Sequence, residues 1–573
     1  MPAKWVTLTY NLGTDFYTEK VRSIRAVGTS QPGNQDGGIS ETTNVNRLFN
    51  SNFTALFTRS FGENIGTSLL LGNTIEQGQR ETTDIIGLVF RSPTFNSINN
   101  TVNRGALTTN SLRRIVGNFA RINLDLFRQV TLEVSARYDM SSTLPRPDKG
   151  KNFGRGFLYG SATAGYEFTR TLGLDNNPIL NYGKLRVAVA EVGKDTGPYR
   201  VESPLAQSTY IGQGFRQGFF GSNALLKPER TRSYEAGVDL QFLRGRLGLD
   251  AGYYYAETRD QLIAPRVSQA SGYILQYING GTVTNEGVEI ALNGRPVQTP
   301  SGFTWDVLAN FFHNENRAKS LPSFLTEVNQ SDAWVIDVAR GSAFPGRPIT
   351  SIGVLDYQRV TDPNSAYFGQ VVVNANTGYP TAVAGTFVYA GDRAPQFTTQ
   401  VTNTLAYKGL SLAFMFDFRK GGKVVNGNEW IAVRSGLSEK TLDRYKTAVI
   451  DGVVRNADGS YSPNTRPVEL TQGYFINQVG GTGWAFVEDG SWTRLRYATL
   501  AYSLPKAWLG SSFVKGAELS VTGRNLLLFT NYSGADPETA AAGAGVRGGG
   551  SGGFDYGSTP ATRGVDMALR VNF

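Results

Sequence analysis

The chain has 573 residues, of which 40% are hydrophobic and only 18% are charged, so much of its polar surface must come from neutral side chains. Cysteine is absent and His313 is the only histidine, which excludes disulfides, thiolate chemistry and a histidine-rich metal centre. The net charge of +9 is scattered among acidic residues, without the dense basic cluster that nucleic-acid binding requires.

Glycine, tyrosine and phenylalanine are abundant, a composition typical of an all-β protein with polar loops and aromatic belts. No stretch approaches about 18 uninterrupted apolar residues, so no transmembrane helix is predicted. A strand that crosses a membrane in a barrel needs only about 9–11 alternating residues. The amino terminus lacks the pattern of a signal peptide, and Trp5–Leu12 alternates like a strand that is already under way.

Seven hairpins are predicted between the first and last strands, each from apolar residues at every second position. They cover residues 49–71, 115–138, 159–190, 233–255, 288–311, 397–418 and 493–526. Long polar loops are predicted at 24–44, 78–111, 193–230, 316–395, 420–490 and 540–553, with local strands at 349–358 and 370–373.

The last strand places five apolar residues on one face and ends on an aromatic residue, the pattern of a barrel-assembly signal: Val565, Met567, Leu569, Val571 and Phe573. Short connections alternate with long ones along the chain, as in an outer-membrane barrel with tight periplasmic turns and long extracellular loops. Hydrocarbon cannot hydrogen-bond to the backbone, so only a closed sheet satisfies every peptide group there. The sequence therefore predicts an all-β, antiparallel transmembrane barrel with about sixteen strands in this chain. Nothing in the architecture of a soluble β-sandwich requires short and long connections to alternate along the chain.

Five short motifs occur in the order found in one known family. They are Arg137–Ser142 (with Met140 where a glycine is usual), Leu226–Glu229, Asn285–Glu289, Asp489–Arg496, and Gly523–Leu526 followed by Tyr532–Glu538. Together they resemble the SusC/RagA family of TonB-dependent outer-membrane transporters of Bacteroidota.

The resemblance implies that residues 1–573 are part of a barrel of about 22 strands, without the plug, the TonB-interacting segment or the signal peptide of the family. It implies active import of an oligomeric nutrient, a glycan or a peptide. The implied partners are a SusD-like surface lipoprotein acting as a lid, the TonB–ExbB–ExbD complex acting through the plug, outer-membrane lipid and the barrel-assembly machinery.

Most residues of the matching motifs are interpreted as structural, either facing the lumen or anchoring loops. They are Arg137, Asp139, Lys227, Pro228, Glu229, Asn285, Gly287, Glu289, Gly523, Arg524, Asn525, Asp536, Pro537 and Glu538. For Arg137 and Asp139, substrate binding and a fixed ion pair with a plug or loop both remain open.

Four aromatic residues in predicted loops are candidates for stacking on substrate, with loop packing or contact with the lid as the alternative: Trp334, Trp430, Tyr474 and Trp484. No catalytic or metal-binding residue is predicted. His313 has no second histidine, and Asp536–Glu538 supplies too few oxygens to guarantee a calcium site.

Three alternatives to active import stay open at this point. The chain could be a passive porin of about sixteen strands, or a truncated remnant without function. A barrel-shaped enzyme is the third, and it is disfavoured because no nucleophile motif accompanies the single histidine.

Overall fold

The computed structural model describes residues 4–29, 35–146, 154, 156–202, 206–208, 214–216, 218–329, 336–510, 513–539 and 552–573. Sixteen long strands in this part of the chain form one antiparallel sheet whose order follows the sequence. They are β1 (Val6–Arg25), β2 (Gly38–Phe61), β3 (Ile65–Phe90), β4 (Thr101–Leu126), β5 (Val130–Ser141), β6 (Phe157–Glu167), β7 (Leu180–Lys194), β8 (Glu229–Phe242), β9 (Leu247–Arg259), β10 (Thr282–Gln298), β11 (Thr304–Ser320), β12 (Phe397–Tyr407), β13 (Leu410–Lys420), β14 (Trp492–Ser503), β15 (Gly516–Thr530) and β16 (Gly564–Asn572). The predicted all-β class and strand number are confirmed.

The tightest turns have the backbone conformation that is favoured in antiparallel hairpins. Positive φ angles occur at Phe127 and Arg128 (55° and 56°), at Leu243 and Arg244 (55° and 58°), and at Lys408 (45°). Two successive residues with positive φ give a turn whose twist matches that of the flanking strands. These turns lie where the sequence predicts them.

Two predicted loops, 24–44 and 78–111, are largely strand in the structure. Strands β2, β3 and β4 extend well past the apolar alternation, so that residues 26–37 separate β1 from β2 and residues 91–100 separate β3 from β4. The extensions are rich in threonine, which favours strands even without an apolar face. Cross-strand pairs such as Thr83 and Thr108, whose hydroxyl oxygens lie 3.3 Å apart, continue the ladder. The prediction of long loops was wrong here because the hydrophobic pattern ends where the bilayer ends, whereas backbone pairing does not.

The apolar face of the sheet is exposed in the isolated chain. Tyr234, Tyr253, Leu292 and Met567 are among the large apolar side chains left uncovered. An uncovered apolar face of this extent is expected when the solvent is lipid. At the end of the chain, the ring of Phe573 stacks on Phe513 with centroids 5.4 Å apart.

By packing, the chain divides into two compact units. The first contains Met1–Tyr166, Arg186–Tyr234 and Thr258–Gly280, and the second contains Glu167–Leu185, Glu235–Glu257 and Gly281–Phe573. No helix in the described ranges is both long and apolar enough to cross a membrane.

Short elements lie in the connections between the long strands. The α-helices are α1 (Phe168–Thr171), α2 (Gly427–Arg434) and α3 (Lys506–Leu509), and Tyr474–Val479 forms a π-helix. The 3₁₀ turns are Ile98–Asn100, Gln269–Ser271, Glu439–Thr441 and Trp484–Phe486. In the first unit the short strands are Ala206–Ser208, Gly214–Arg216, Phe220–Gly221, Leu262–Ile263, Leu275–Gln276 and Ile278–Asn279. In the second they are Val328–Asn329, Ala339–Ala343, Ser351–Tyr357, Val372–Val373, Ala382–Asp392, Lys423–Asn426, Thr447–Val449, Val453–Arg455, Tyr461–Pro463, Pro467–Glu469, Val487–Asp489 and Phe554–Asp555. The predicted local strands at 349–358 and 370–373 are among them.

Candidate functional site

The three longest loops of the second unit, 321–396, 421–491 and 531–563, share a hydrophobic core. We call it the loop core and define it by its buried residues: Ile336, Val338, Ala339, Ile352, Val354, Ala390, Val425, Trp430, Val433, Phe475, Phe486 and Phe554. Burying one large apolar side chain contributes roughly 1.5–3 kcal/mol. The described parts of these loops are therefore a packed body and not a set of independent connections.

Backbone pairing joins the same loops. Val425 pairs with Phe554 in a parallel bridge between the second and third loops. Val372 pairs with Val453 between the first and second. Each bridge connects residues far apart in the sequence, so the loops fix one another.

Trp430 lies inside the loop core, which favours the loop-packing alternative over stacking on substrate. Its side chain is 8% exposed, and its indole N–H donates to the carbonyl of Gly480 at 2.8 Å. The Arg434 guanidinium carbon lies 4.7 Å from the ring centroid. A covered ring has no free face for a ligand, so Trp430 serves packing, the alternative left open by the sequence.

Tyr474 and Trp484 differ from Trp430 in their surroundings. Tyr474 is half-buried against Tyr379, with ring centroids 5.9 Å apart, and burial raises the pKa of its hydroxyl. Trp484 is 39% exposed, and the Arg359 guanidinium carbon lies 5.9 Å from its ring. Trp334 lies outside the described residues. Among the three candidates that the structure describes, Trp484 is therefore the most exposed.

A cleft of 220 Å³ that sequence reasoning missed opens at the carboxyl end of α2. Arg434, Arg444, Tyr445 and Gln472 line it. Arg444 donates to the carbonyl of Gly436 at 3.2 Å, where the helix has ended. Two guanidinium groups and an exposed phenol ring could together hold an anionic group beside a flat apolar face. Nothing in the sequence indicates that two arginines ten residues apart in a polar loop line the same cleft.

Two arginines of β14 hold the motif Asp536–Glu538 against the sheet. Arg494 donates to Asp536 Oδ1 at 2.6 Å, and both side chains are almost fully buried. Arg496 binds both oxygens of Glu538 at 2.6 and 2.8 Å, and it also donates to Asp417 Oδ2 at 2.7 Å. These carboxylates are engaged by guanidinium groups, and the described ranges contain no cluster of His, Cys, Asp or Glu suited to a metal.

The start of the same segment is fixed by Tyr532. Its hydroxyl donates to Asp555 Oδ2 at 2.8 Å in a buried contact. Burial, together with this carboxylate, raises the pKa of Tyr532. Asn428, in helix α2, donates to the other oxygen of Asp555 at 3.0 Å, so the contact also joins two loops of the core.

In the first unit, Arg137 and Asp139 pair with each other. Arg137 Nε donates to Asp139 Oδ1 at 2.7 Å, and Tyr159 donates to Asp139 Oδ2 at 2.6 Å. Arg137 also donates to Thr74 Oγ1 at 2.7 Å. The described partners lie on β3, β5 and β6, so the pair ties neighbouring strands of the wall. The predicted contact with a plug or loop is not observed among the described residues.

A second buried carboxylate in this unit escaped the sequence analysis. Asp195 accepts hydrogen bonds from Arg113 at 2.9 and 3.0 Å, and from Ser141 and Thr143 at 2.5 and 2.9 Å. Ser141 belongs to the Arg137–Ser142 motif, which thus fixes the start of the loop that follows β7.

The Lys227–Glu229 motif contacts a neighbouring loop. Asn279 accepts from the backbone N–H of Lys227 at 2.8 Å and donates to its carbonyl at 2.9 Å. Glu229 Oε1 accepts from the N–H of Leu262 at 2.7 Å, and Pro228 lies between the two contacts.

Gly287 permits a close approach between β10 and the side chain of Tyr254. A Cβ atom there would lie 2.3 Å from the His313 carbonyl oxygen and 2.5 Å from the Tyr254 hydroxyl. In the same motif Glu289 is exposed, and Asn285 pairs with Asn316 across the ladder.

In the Gly523–Asn525 motif, Asn525 has a positive φ of 50° at a bulge opposite Arg496. Its amide donates to the Thr562 carbonyl at 3.0 Å. Arg524 binds Asp566 on β16 in a largely exposed pair. The imidazole Nδ1 of His313 bonds to the Gln396 carbonyl, a structural contact.

Comparison with known families decides the identity of this architecture. Residues 3–414 match the family model described as TonB dependent receptor-like, beta-barrel. This chain belongs to that family. It is an outer-membrane β-barrel protein, and the resemblance to SusC/RagA is confirmed by its relatives.

Two curated relatives illustrate the similarity of this TonB-dependent-receptor barrel. TonB-dependent receptor P3 of Formosa agariphila is 28% identical over 492 residues, covering 80% of this chain and 45% of the relative. TonB-dependent receptor SusC of Bacteroides thetaiotaomicron is 24% identical over 455 residues, covering 74% of this chain and 41% of SusC. The chain thus spans about half the length of the curated relatives it matches.

Among solved structures, that of the RagAB peptide transporter aligns with the whole chain and with 60% of its own chain. The TM-score is 0.75 at 19% identity. At this identity the match supports the fold.

Proposed function

We propose that this barrel belongs to a TonB-dependent importer that takes up an oligomeric nutrient, a glycan or a peptide, across the outer membrane. Its curated relatives are named TonB-dependent receptors, and one of them is SusC. The observation that carries the proposal is the loop core, because a packed body on the long loops can present a binding surface of fixed geometry.

The binding surface we propose combines the exposed ring of Trp484 with the cleft beside Tyr445. Flat rings stack on sugar faces or on aromatic peptide side chains, and guanidinium groups bind carboxylates. In the cleft, the guanidinium groups of Arg434 and Arg444 would bind the carboxylates. An oligomer with spaced carboxylates, either an acidic glycan or an acidic peptide, fits both features.

We further propose that a SusD-like lipoprotein docks on an aromatic patch of the first unit. Phe220 stacks on Tyr277 with centroids 5.3 Å apart, and Phe219 packs edge-on against Phe220. Phe219, Phe220 and Tyr199 remain exposed. Exposed aromatic clusters are typical of protein interfaces. The TonB–ExbB–ExbD complex would act on the plug of the importer, as in the family.

Uptake measurements test the proposal. Cells that carry the importer should accumulate a labelled acidic oligomer, and collapse of the proton-motive force should abolish the accumulation. Substitution of Tyr445 or Trp484 by alanine should lower uptake without lowering the amount of protein in the outer membrane. Uptake that survives energy collapse and follows the external concentration would instead support a passive porin.

A further inference from the structure

A groove of 390 Å³ lies beside the short turn between β8 and β9, in the second unit. Its walls are apolar and come from three strands and the turn: Leu243, Leu247, Leu292, Pro296 and Val307. In the ladder, Leu292 pairs with Ala309 and Gly294 pairs with Val307, both on the apolar face of the sheet. The groove therefore opens toward the lipid.

Arg246 lies at the mouth of this apolar groove. It lines the groove and donates through Nη2 to the carbonyls of Arg295 and Pro296, at 3.1 and 3.4 Å. Its Nε and Nη1 groups make no hydrogen bond to any described residue. The side chain is exposed, so these N–H groups are free to bind a ligand. Arg244, at the tip of the same turn, lines an adjoining pocket and not this groove.

The carboxylate that lines the adjoining pocket together with Arg246 is already engaged. Asp306 binds Arg295 through both oxygens, at 2.7 and 3.2 Å. No acidic side chain is among the groove-lining residues. The mouth therefore carries net positive charge while the walls stay apolar, a combination that suits an amphipathic anion.

The depth of the groove matches the membrane boundary. Trp305 lies two residues before Val307 on β11, and its indole N–H donates to Asn403 at 3.0 Å. Tryptophan prefers the interface between headgroups and hydrocarbon. The guanidinium of Arg246 donates to the carbonyls of Arg295 and Pro296 at the bulge of β10, next to the level of Trp305. From this level the apolar walls of the groove extend into the hydrocarbon.

We propose that this groove binds an anionic phospholipid of the periplasmic leaflet. The phosphate is held by Arg246, and an acyl chain lies along Leu247, Leu292 and Val307. A lipid held in this position would seal the bulge between β10 and β11, where two residues face one and the ladder is interrupted.

Native mass spectrometry of the protein purified from outer membranes in mild detergent tests the proposal, with added phosphatidylglycerol as the probe. Charge-assisted bonds to phosphate are the strong class of hydrogen bond, so R246Q should weaken binding about tenfold. Glutamine keeps an N–H₂ group for the bulge carbonyls, so folding should survive. Diacylglycerol, which lacks phosphate, should bind the unaltered protein as weakly as phosphatidylglycerol binds R246Q.

Arg244→Gln is the matched control. Arg244 is an exposed arginine two residues from Arg246 in the same turn, but it does not line the groove. R244Q should bind phosphatidylglycerol like the unaltered protein. Equal losses in R244Q and R246Q, or full binding in R246Q, would overturn the proposal. Displacement of the lipid by inorganic phosphate alone would overturn the acyl-chain contact.

Discussion

The ion pair between Arg494 and Asp536 should be a major anchor of the loop that follows β15. We expect Asp536→Asn to cost about 3 kcal/mol of unfolding free energy, because removing one partner of a buried pair typically costs about 3–5 kcal/mol. The side chains of Arg494 and Asp536 are only 3% and 5% exposed. The lower end of the range applies because Glu538 lies 3.6 Å from the same guanidinium and compensates part of its charge. Urea unfolding in detergent micelles, followed by intrinsic fluorescence, measures the change.

Asp566→Asn is the matched control for this prediction. Asp566 binds Arg524 with similar geometry, but the two side chains are 49% and 60% exposed. Exposed pairs contribute about 0.2–1 kcal/mol, so D566N should change stability by less than a third of the effect of D536N. A double variant that replaces Arg494 and Asp536 by apolar residues of similar volume should recover much of the loss. Equal effects of D536N and D566N would refute the reasoning that burial sets the magnitude.

Three further predictions follow from packing and protonation. G287A should lower the yield of assembled barrel, since its Cβ would lie 2.3 Å from a carbonyl oxygen, whereas G252A, with no other atom nearer than 4.0 Å, should assemble normally on heat-modifiability gels. W430A should destabilise the loop core by about 3–5 kcal/mol and expose the loops to limited proteolysis, while W484A should leave the proteolysis pattern unchanged. Because its pKa is raised, Tyr532 should stabilise the loop fully below the ordinary tyrosine pKa of about 10 and lose this effect as the pH rises through its raised value. The difference in tyrosinate absorbance between the unaltered protein and Y532F isolates this titration, and an ordinary titration midpoint would contradict it.

The sequence predicts the strands and turns well because the bilayer imposes a simple rule on them. Each spanning strand must alternate, and each short turn must reverse the chain within a few residues. The turn at Leu243 and Arg244 was predicted from its position between two alternating runs, and both residues have the positive φ such a turn needs. Outside the bilayer a strand need not alternate apolar and polar residues. The sequence pattern therefore predicts loops at the threonine-rich extensions of β2 and β3, which are strands in the structure.

The loop core could not be predicted from local pattern. Its contacts join residues far apart in the sequence, such as Val425 and Phe554. A tryptophan in a polar loop looks the same whether its ring is covered, as in Trp430, or exposed, as in Trp484. Only the packing of several loops together distinguishes the two.

The matched motifs make sense as a set once their contacts are known. Arg494 and Arg496 lie on a strand, and Asp536 and Glu538 lie on the loop that follows the next strand. The buried pair Arg494–Asp536 and the partly exposed pair Arg496–Glu538 bind the strand and the loop together. A buried pair adds little net stability compared with apolar packing, but it penalises any arrangement that separates the charges. Such pairs therefore suit the attachment of a loop to a wall, where one position must be favoured over many. The loop core supplies rigidity, the paired charges supply position, and the combination gives Trp484 and the arginine-lined cleft a fixed geometry, which the proposed binding surface requires.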